Sequence, residues 1–384
     1  MSMEYSKLFQ SFPLTKDLML RNRIIMAPMT TWSANDDGTI SEPELQYMRQ
    51  RVQGVGLVIT GCTHVLENGI GFTNEFAGFD DRFTPSLTQL AQAAKSGGAP
   101  AILQIFHAGN KALPDLIPNA DVISASALAT PSGSFVNSQM MSRALSHDEV
   151  LEVIHAFGQT TRRAIEAGFD GIELHGAHGF LIQNFFSPLF NQRADEWGGS
   201  LEKRMNFPLA VVKEVKRVIQ QYAQKPFALG YRISVEEYDA NGLRISDSLQ
   251  LIDRLIEAGI DYLHVSLTDI LNAKPVDSTD EQLTIQHVID HVNHQVPLIS
   301  AGKIRTPSQA IQALGLGLPL VAIGKAIVMN PDWVERAKNN EADLISTELD
   351  TDNNPALRIP EPLWHEIQVR KGWFPIREKE QVQA

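Results

Sequence analysis

The stretch "SHDEVLEVIHAFGQTTRRAIEAGFDGIELH" (146–175) contains one complete helix–strand unit, and units of the same kind recur along the chain. Ser146 with Glu149 three residues later matches a capping box, which predicts the start of a helix, and Gly168 predicts its end. The run "FDGIELH" follows at once and is nearly continuous in apolar residues. Such a run is typical of a parallel strand that is covered on both faces.

Eight short apolar runs of this kind occur, each followed by an amphipathic or charged stretch. They are "RIIMAPM" (23–29), "GLVITGC" (56–62), "AILQIFH" (101–107), "FDGIELH" (169–175), "FALGYRIS" (227–234), "DYLHVSL" (261–267), "PLISAG" (297–302) and "LVAIG" (320–324). A further helix, "SDSLQLIDRLIEAG" (246–259), repeats the design of the first and starts at Ser246. Eight such units predict an α/β fold, a (β/α)8 TIM barrel in a single domain. The alternative is a doubly wound open sheet, which needs a G-x-G-x-x-G turn that is not present.

The spacing of the runs is uneven, and the longest insertion, which includes residues 114–139, is rich in Pro, Ser, Asn and Ala. We expect the long loops to cover the C-terminal mouth of the barrel. Beyond residue 340 the composition becomes polar. The sequence therefore predicts a barrel over residues 8–340 and a C-terminal extension over residues 341–384.

Composition excludes several classes of partner and site. The 384 residues carry a formal net charge of -12, and a chain this acidic repels nucleic-acid backbones and anionic membrane surfaces. Cys62 is the only cysteine, so an intramolecular disulfide is impossible. The first residues lack the apolar core of a signal peptide, and no apolar run approaches the ~20 residues that span a bilayer. We expect a cytoplasmic protein.

Polar groups and glycines lie at the predicted ends of the strands, where this fold places its chemistry. "SAGKI" and "AIGKA" each put a glycine and a lysine directly after strands seven and eight. A phosphate often binds there in this fold, although two ordinary turns with exposed lysines are the alternative. Arg232 ends the fifth strand and either faces the mouth or forms a structural ion pair. Gln104 is an amide in a buried strand, and either the backbone or a planar ligand satisfies it.

His175 and His178 are spaced three apart at the end of the fourth strand, and among the groups at the strand ends Glu173 is the one carboxylate expected close to them. A metal site would need further ligands, and zinc pairs on helices use i, i+4 spacing. Packing alone is a second interpretation. The third and favoured interpretation is a pair of N–H donors directed at one substrate oxygen, as in an oxyanion hole.

These residues resemble a known family, the Old Yellow Enzyme family of FMN-dependent ene-reductases. "HGAHGFLIQNFFSPLFNQRADEWGGSLEKRMNF" (175–207) is similar to the long signature of the family. "NRIIMAPMT", "ILQIFHAGNK" and "AIGKAIVMNPDW" resemble its other conserved blocks in the same order. The likeness covers roughly residues 8–340 and is greater to the branch with two histidines.

The resemblance implies an oxidoreductase that binds FMN, takes hydride from NAD(P)H and passes it to a small acceptor, namely an activated alkene, a quinone or a nitro compound. His175 and His178 would hold the acceptor oxygen, Thr30 would tune the flavin, and Trp32 and Phe180 would line the substrate pocket. No metal is implied. The residues that would contact FMN are Ala27, Pro28, Met29, Thr30, Cys62, Gln104, Arg232, Gly302, Gly324 and Lys325.

Four positions depart from the family pattern. Thr30 is a tolerated variant, Lys325 replaces an arginine, and Asn110 replaces a basic residue while Lys111 remains. Phe180 replaces the tyrosine that protonates the substrate α-carbon, and phenylalanine has no such proton. We therefore expect slower reduction of activated alkenes than of quinones or nitro compounds, unless water or another acid supplies the proton.

The tail segment "VRKGWF" (369–374) resembles the C-terminal segment that, in the two-histidine branch, reaches the active site of a neighbouring subunit. A homo-oligomer, a dimer or a dimer of dimers, is therefore expected, with Arg370 or Lys371 near the partner's pocket. A strap across its own barrel is the alternative.

Two other functions stay open at this point. One is a flavin-free aldolase or isomerase of a phosphorylated substrate, with Glu173 as candidate base. The other is a catalytically weakened flavin-binding protein.

Overall fold

Eight parallel strands form a closed barrel at the centre of the protein. The computed structural model describes residues 5–130, 141–279, 281–350, 352 and 354–377. The barrel strands are β1 Ile24–Met26, β2 Leu57–His64, β3 Ala101–Phe106, β4 Gly171–Gly176, β5 Ala228–Ile233, β6 Tyr262–Ser266, β7 Leu298–Ala301 and β8 Leu320–Ile323. Each strand pairs with its neighbours in chain order, and β8 pairs with β1 to close the ring. The predicted TIM barrel is confirmed.

Helices surround the barrel and connect successive strands. They are α1 Glu42–Arg51, α2 Thr84–Lys95, α3 His147–Glu166, α4 Leu181–Phe186, α5 Leu201–Arg204, α6 Asn206–Tyr222, α7 Ile245–Ala258, α8 Thr284–Val292, α9 Pro307–Gly315, α10 Lys325–Met329, α11 Trp333–Lys338, α12 Asn354–Leu357 and α13 Glu361–Val369. The α3 capping box between Ser146 and Glu149 is confirmed.

The predicted start of α7 at Ser246 is wrong by one residue, because the cap differs from that of α3. Helix α7 begins at Ile245 with Arg244 as its N-cap, and the backbone N–H of Arg244 donates to the carboxylate of Asp247 at 3.2 Å. Ser246 therefore lies inside the first turn. The end of the helix is as expected, since Gly259 takes the left-handed conformation that favours glycine.

Three apolar clusters hold the fold together; one lies around Cys62 and Phe180, and the other two differ in size. The larger lies between the outer faces of the strands and the surrounding helices. The smaller fills the lower half of the barrel with residues such as Ile25, Ile59 and Ile299. An N-terminal hairpin of strands Phe12–Thr15 and Leu18–Leu20 closes the bottom through Leu14 and Leu20. Since the bottom of the barrel is packed, we expect the chemistry at the mouth, where this fold places it.

Loops and the C-terminal extension cover the mouth. The predicted long loop after β3 contains short 3-10 turns such as Pro114–Leu116, and its residues 131–140 lie outside the described part. In the extension, Leu349 and Ile376 form a parallel bridge, and Arg51 donates to the carbonyl of Leu357 at 2.6 Å. Residues 351, 353 and 378–384 lie outside the described part. Among the described residues, no helix is long and apolar enough to cross a membrane.

Candidate active site

A cavity of about 660 Å³ opens at the C-terminal ends of the strands. Its volume is in the range that binds small molecules and cofactors. Eleven of the residues predicted for the site line it: Pro28, Met29, Thr30, Trp32, Cys62, Gln104, His175, His178, Phe180, Arg232 and Lys325. Ala27, Gly302 and Gly324 are not among the lining residues.

The two histidines form one wall of the cavity, with ring centroids 4.9 Å apart. Nδ1 of His175 accepts the backbone N–H of Ala177 at 3.3 Å, so its Nε2 is the protonated nitrogen. Nε2 of His178 lies 2.8 Å from Oγ of Ser266. Burial lowers the pKa of both rings well below the usual value, and the positive charge of Arg232 adds to this. Both imidazoles are therefore neutral near pH 7, and each can donate one N–H.

Arg232 reaches the cavity from β5 and is not held by a carboxylate. One of its terminal N–H groups donates to Oγ of Ser266 at 3.1 Å. Its Nε is buried and has no hydrogen-bond partner among the described residues. A buried N–H of a guanidinium is costly when it is left unpaired, which indicates an acceptor on a bound ligand. The alternative of a structural ion pair for Arg232 is not favoured, because Glu173 pairs with His264.

Glu173 lies below the cavity, in the centre of the barrel. Its two carboxylate oxygens accept from Nε2 of Gln104 at 2.7 Å, the hydroxyl of Tyr262 at 3.1 Å and Nδ1 of His264 at 3.0 Å. Although burial by itself raises the pKa of Glu173, the contacts with His264, Arg232 and Gln104 outweigh it and lower the pKa. The carboxylate is fully buried and bonded, so it is not an accessible base.

A glycine makes this network possible. Gly230 lies between Glu173 and Tyr262 in the register of the sheet. A Cβ at this position would lie 2.0 Å from the ring of Tyr262, so only glycine lets that ring cross β5 and reach Glu173.

A second buried carboxyl lies beside Cys62. The thiol donates to Oε1 of Glu75 at 3.2 Å and lies 3.4 Å from Oγ1 of Thr30, while Oε2 accepts the N–H of Gly71 at 2.8 Å. Burial raises the pKa of Cys62, and it raises the pKa of Glu75 to about 8. The thiol and the carboxyl are therefore both protonated at pH 7, so this wall of the cavity is uncharged.

Glu75→Gln tests this state through the stability of the protein. Between pH 4.5 and about 8 the unfolded chain loses the proton of Glu75 while the folded protein keeps it. The free energy of unfolding therefore falls as the pH rises, by about 1.4 kcal/mol per pH unit from this group. Glu75→Gln has no such proton to lose. The free energy of unfolding of the variant, compared with that of the natural protein at the same pH, should therefore increase from pH 5 to pH 8 in urea titrations. Glu152→Gln, at an exposed position on α3, shows the effect of the same substitution outside the cavity. Parallel pH curves for Glu75→Gln and the natural protein would contradict the prediction.

The two glycine–lysine turns differ in the structure. Lys325 lines the cavity, and its Nζ donates to the carbonyl of Trp373. Lys303 points away and forms an ion pair with Asp269 at 3.4 Å. Gly324 lies behind the lining, where a Cβ would be 3.1 Å from Sδ of Met29, and a Cβ on Gly302 would be 2.8 Å from the carbonyl of Leu267. Only one of the two lysines is therefore placed to meet a phosphate in the cavity.

Aromatic rings form the opposite wall. Trp32 has its ring centroid 5.3 Å from that of Phe72 and 5.6 Å from that of Trp373. Its φ of 51° lies in the left-handed region, which is rare for a bulky residue and is found at functional sites. His178, with φ of 61°, shares this feature. Phe72 and Trp373 belong to distant segments, and the sequence analysis did not identify them.

The expectation that Glu173 is the one carboxylate near the histidines is wrong. Glu236, Glu237 and Asp239 line the same cavity, whereas Glu173 does not. They follow β5 by three to six residues. Residues just beyond the C-terminal end of a barrel strand also lie at the mouth, so the sequence beyond Arg232 could have indicated them. Glu237 is held by Nε2 of Gln183 at 2.8 Å and by Oγ of Ser187 at 2.6 Å. Three carboxylates therefore line the cavity together with the cations Lys111, Arg232 and Lys325.

No group of three His, Cys, Asp or Glu side chains in the described part of the chain is placed to bind a metal ion.

The chain is similar to known proteins over most of its length. The model of the NADH:flavin oxidoreductase / NADH oxidase family matches residues 7–343. "Probable NADH-dependent flavin oxidoreductase YqiG" of Bacillus subtilis (strain 168) is 41% identical over 98% of this chain and 100% of its own length. NADH:fumarate oxidoreductase of Klebsiella pneumoniae (strain 342) is 39% identical over 93% of this chain but only 38% of its own length. The structure of an old yellow enzyme homologue from Zymomonas mobilis superposes with a TM-score of 0.75 at 24% identity, covering 87% of this chain and 93% of its own.

Proposed function

The chain belongs to the NADH:flavin oxidoreductase / NADH oxidase family, the family of Old Yellow Enzyme, and we propose that His175 and His178 bind the oxygen of its electron acceptor. As a member of that family, the protein is an NADH-dependent flavin oxidoreductase with FMN as its cofactor. The acceptor in our proposal is an activated alkene, a quinone or a nitro compound. The observation that carries it is the pair of neutral imidazoles on one wall of the cavity.

The residues of the cavity fit a flavin. The unpartnered Nε of Arg232 and the amide of Gln104 would meet polar atoms of the ring, and Pro28, Met29, Thr30 and Cys62 would line one edge. Lys325 would meet the phosphate, with Gly302 and Gly324 behind it. FMN supplies the redox chemistry: it accepts hydride from NADH and gives it to the acceptor.

The histidines would act on the charge that develops in the acceptor. When hydride reaches the β-carbon of an activated alkene, negative charge builds on the conjugated oxygen. Two N–H donors that are already oriented stabilise that charge with little reorganisation. Each neutral ring keeps one N–H, and that group is the donor to the oxygen in our proposal. The branch of the family with two histidines is the one we propose for this chain.

NADH is the reductant that the family description and the name of the Bacillus subtilis relative give. A flavin-free aldolase or isomerase is not supported, since Glu173 is buried and fully bonded.

Purification and anaerobic reduction test this proposal. The purified protein should be yellow, release FMN on denaturation and lose its flavin absorbance on addition of NADH. The reduced protein should then pass electrons to 2-cyclohexen-1-one or 1,4-benzoquinone. A colourless protein that cannot be reconstituted with FMN would overturn it.

The two lysines give a matched test of the phosphate end. Lys325→Met should weaken FMN binding about 10- to 100-fold, because a charged hydrogen bond contributes roughly 1.5–3 kcal/mol. Lys303→Met removes an equal charge outside the cavity and should leave the Kd within about threefold, since it loses only an exposed ion pair. Fluorescence titration of the FMN-free protein measures both. Equal effects of the two substitutions would show that Lys325 has no special contact.

We also propose a cytoplasmic homodimer or dimer of dimers. The basic and aromatic tail of an acidic chain suits a second copy, and Lys371 is exposed. Arg370 pairs with Glu366 within the tail, and Trp373 lies against Trp32 of its own barrel. Because Trp373 of the same chain already lies at the mouth, the tail of a partner would pack on the solvent side of Trp373. Sedimentation velocity at micromolar concentration should show a dimer or larger, and a monomer would contradict the proposal.

A further inference from the structure

Lys111 is a cation of the cavity wall that the function above does not use. It ends the short turn Gly109–Lys111 after β3, and its Nζ donates to the backbone carbonyl of His178 at 2.6 Å. The same nitrogen lies 5.7 Å from the centroid of the Phe180 ring. It lines the cavity together with both histidines. The ammonium therefore lies next to the side chain that has no proton to give.

The backbone around Lys111 holds the ammonium in this place. The left-handed conformation of His178 belongs to the turn that presents its carbonyl to Nζ. A Cβ on Gly179 would lie 2.8 Å from Nζ, so glycine leaves room for the lysine. The preceding residue, Asn110, is fixed at both ends: its N–H donates to Oδ1 of Asn184 at 3.1 Å and its carbonyl accepts from Thr130 at 2.6 Å.

The surroundings of the ammonium make it a stronger acid than a lysine side chain in water. Burial lowers its pKa, and the carboxylate of Glu237 opposes that effect. The other titratable groups that face it are His175 and His178, which are neutral, and the cation Arg232, which lines the same cavity. An ammonium has three N–H groups, and the bond to His178 uses one of them.

We propose that Lys111 is the general acid that protonates the α-carbon of an alkene acceptor, in place of the hydroxyl that Phe180 lacks. The inference rests on the proposed function. Hydride that originates from NADH forms the new C–H bond at the β-carbon, and the π electrons of the alkene move to the conjugated oxygen held by the histidines. The α-carbon then takes a proton from Nζ, the N–H electrons remain on nitrogen, and the neutral amine regains a proton from water. The alkene is reduced and NADH is the net reductant.

Two acceptors separate this role from the proposed function itself. 2-Cyclohexen-1-one needs a proton on carbon, whereas 1,4-benzoquinone takes its protons on oxygen, where water can supply them. Lys111→Met should lower the rate of reoxidation by the enone about 100-fold or more relative to its rate of reoxidation by the quinone, in the range of general-acid catalysis. Failure of the natural protein to bind FMN or react with NADH would instead count against the proposed function.

Lys111→Arg is the matched control for charge. Arginine keeps the cation but does not release a proton at neutral pH, so the enone rate should stay as low as in Lys111→Met. An enone rate restored by arginine would assign Lys111 to binding of negative charge and overturn the proposal. Equal losses with the enone and the quinone would assign it to the structure of the turn and also overturn it.

Two further measurements bear on the same point. Phe180→Tyr should raise the enone rate less than threefold if Lys111 already donates the proton, and a rise of tenfold or more would show that the natural protein lacks an acid.

Independently of turnover, the pH dependence of acylation of Lys111 can be followed by peptide mass spectrometry in the protein with and without FMN. Lys111 should become reactive at a lower pH than a free lysine derivative, and reactivity at an equal or higher pH would refute the role of acid.

Discussion

Replacing His175 by alanine is expected to slow reduction of an activated alkene about 10²- to 10³-fold, the usual cost of one oxyanion-hole donor. His175 lies in β4 with its ring in the cavity wall, and its protonated Nε2 is the donor that alanine removes. Stopped-flow reoxidation of the reduced protein by 2-cyclohexen-1-one measures the rate. FMN content should not change, because the proposed contact is with the acceptor.

Binding of a phenol, which offers an oxygen to the same donors, gives a second readout of His175→Ala. The affinity should fall, whereas His155→Ala, with a side chain 62% exposed on α3, should leave it unchanged. Because the pKa values of His175 and His178 are lowered well below 6.5, both rings stay neutral as the pH falls from 8 to 6. Neither histidine should therefore add a pH dependence to the affinity of the natural protein for the neutral phenol over this range. Unchanged binding in His175→Ala would remove the oxyanion role.

Replacing Glu173 by alanine is expected to lower the free energy of unfolding by about 3–5 kcal/mol, the range for breaking a buried charged network. Gln104, Tyr262 and His264 would each lose a buried partner, and a cavity would remain at the centre of the barrel. Urea denaturation of the FMN-free protein measures the change.

Two variants separate the charge from the packing at this position. Glu173→Gln keeps the volume and one acceptor oxygen, so it should cost less than alanine. Glu42→Ala, at a side chain 59% exposed on α1, should change stability by less than about 1 kcal/mol. A loss below about 1 kcal/mol for Glu173→Ala would show that the network contributes little to the fold.

Several parts of the site followed from position along the strands. The alternation of side chains places Glu173 and His175 on the same face of β4, and the structure directs both to the barrel interior. Arg232, Gln104 and Cys62 lie at the ends of their own strands, and all three line the cavity. These predictions needed only the position of each residue in its strand and the rule that barrel strands share one mouth.

Other parts depended on contacts between distant segments. Phe72 and Trp373 lie on either side of Trp32 although about 300 residues separate them, so no local pattern could indicate that they meet. The start of α7 was misplaced because the backbone of Arg244 bonds to Asp247, and serine at 246 resembled a cap. The two glycine–lysine turns look alike in sequence, and only the structure separates Lys325 in the cavity from Lys303 outside it.

The sequence by itself determined the eight strands, their parallel order and the mouth as the place of chemistry, because apolar runs and the α3 cap are local features of the chain. Closure of the barrel decided the rest. The ring of Tyr262 reaches Glu173 only where Gly230 leaves space between their strands. Lys111 meets the turn of His178 only because β3 and β4 are neighbours with their ends level. Hydrogen bonds and steric exclusion between strands depend on register and distance in space, which a linear sequence does not contain.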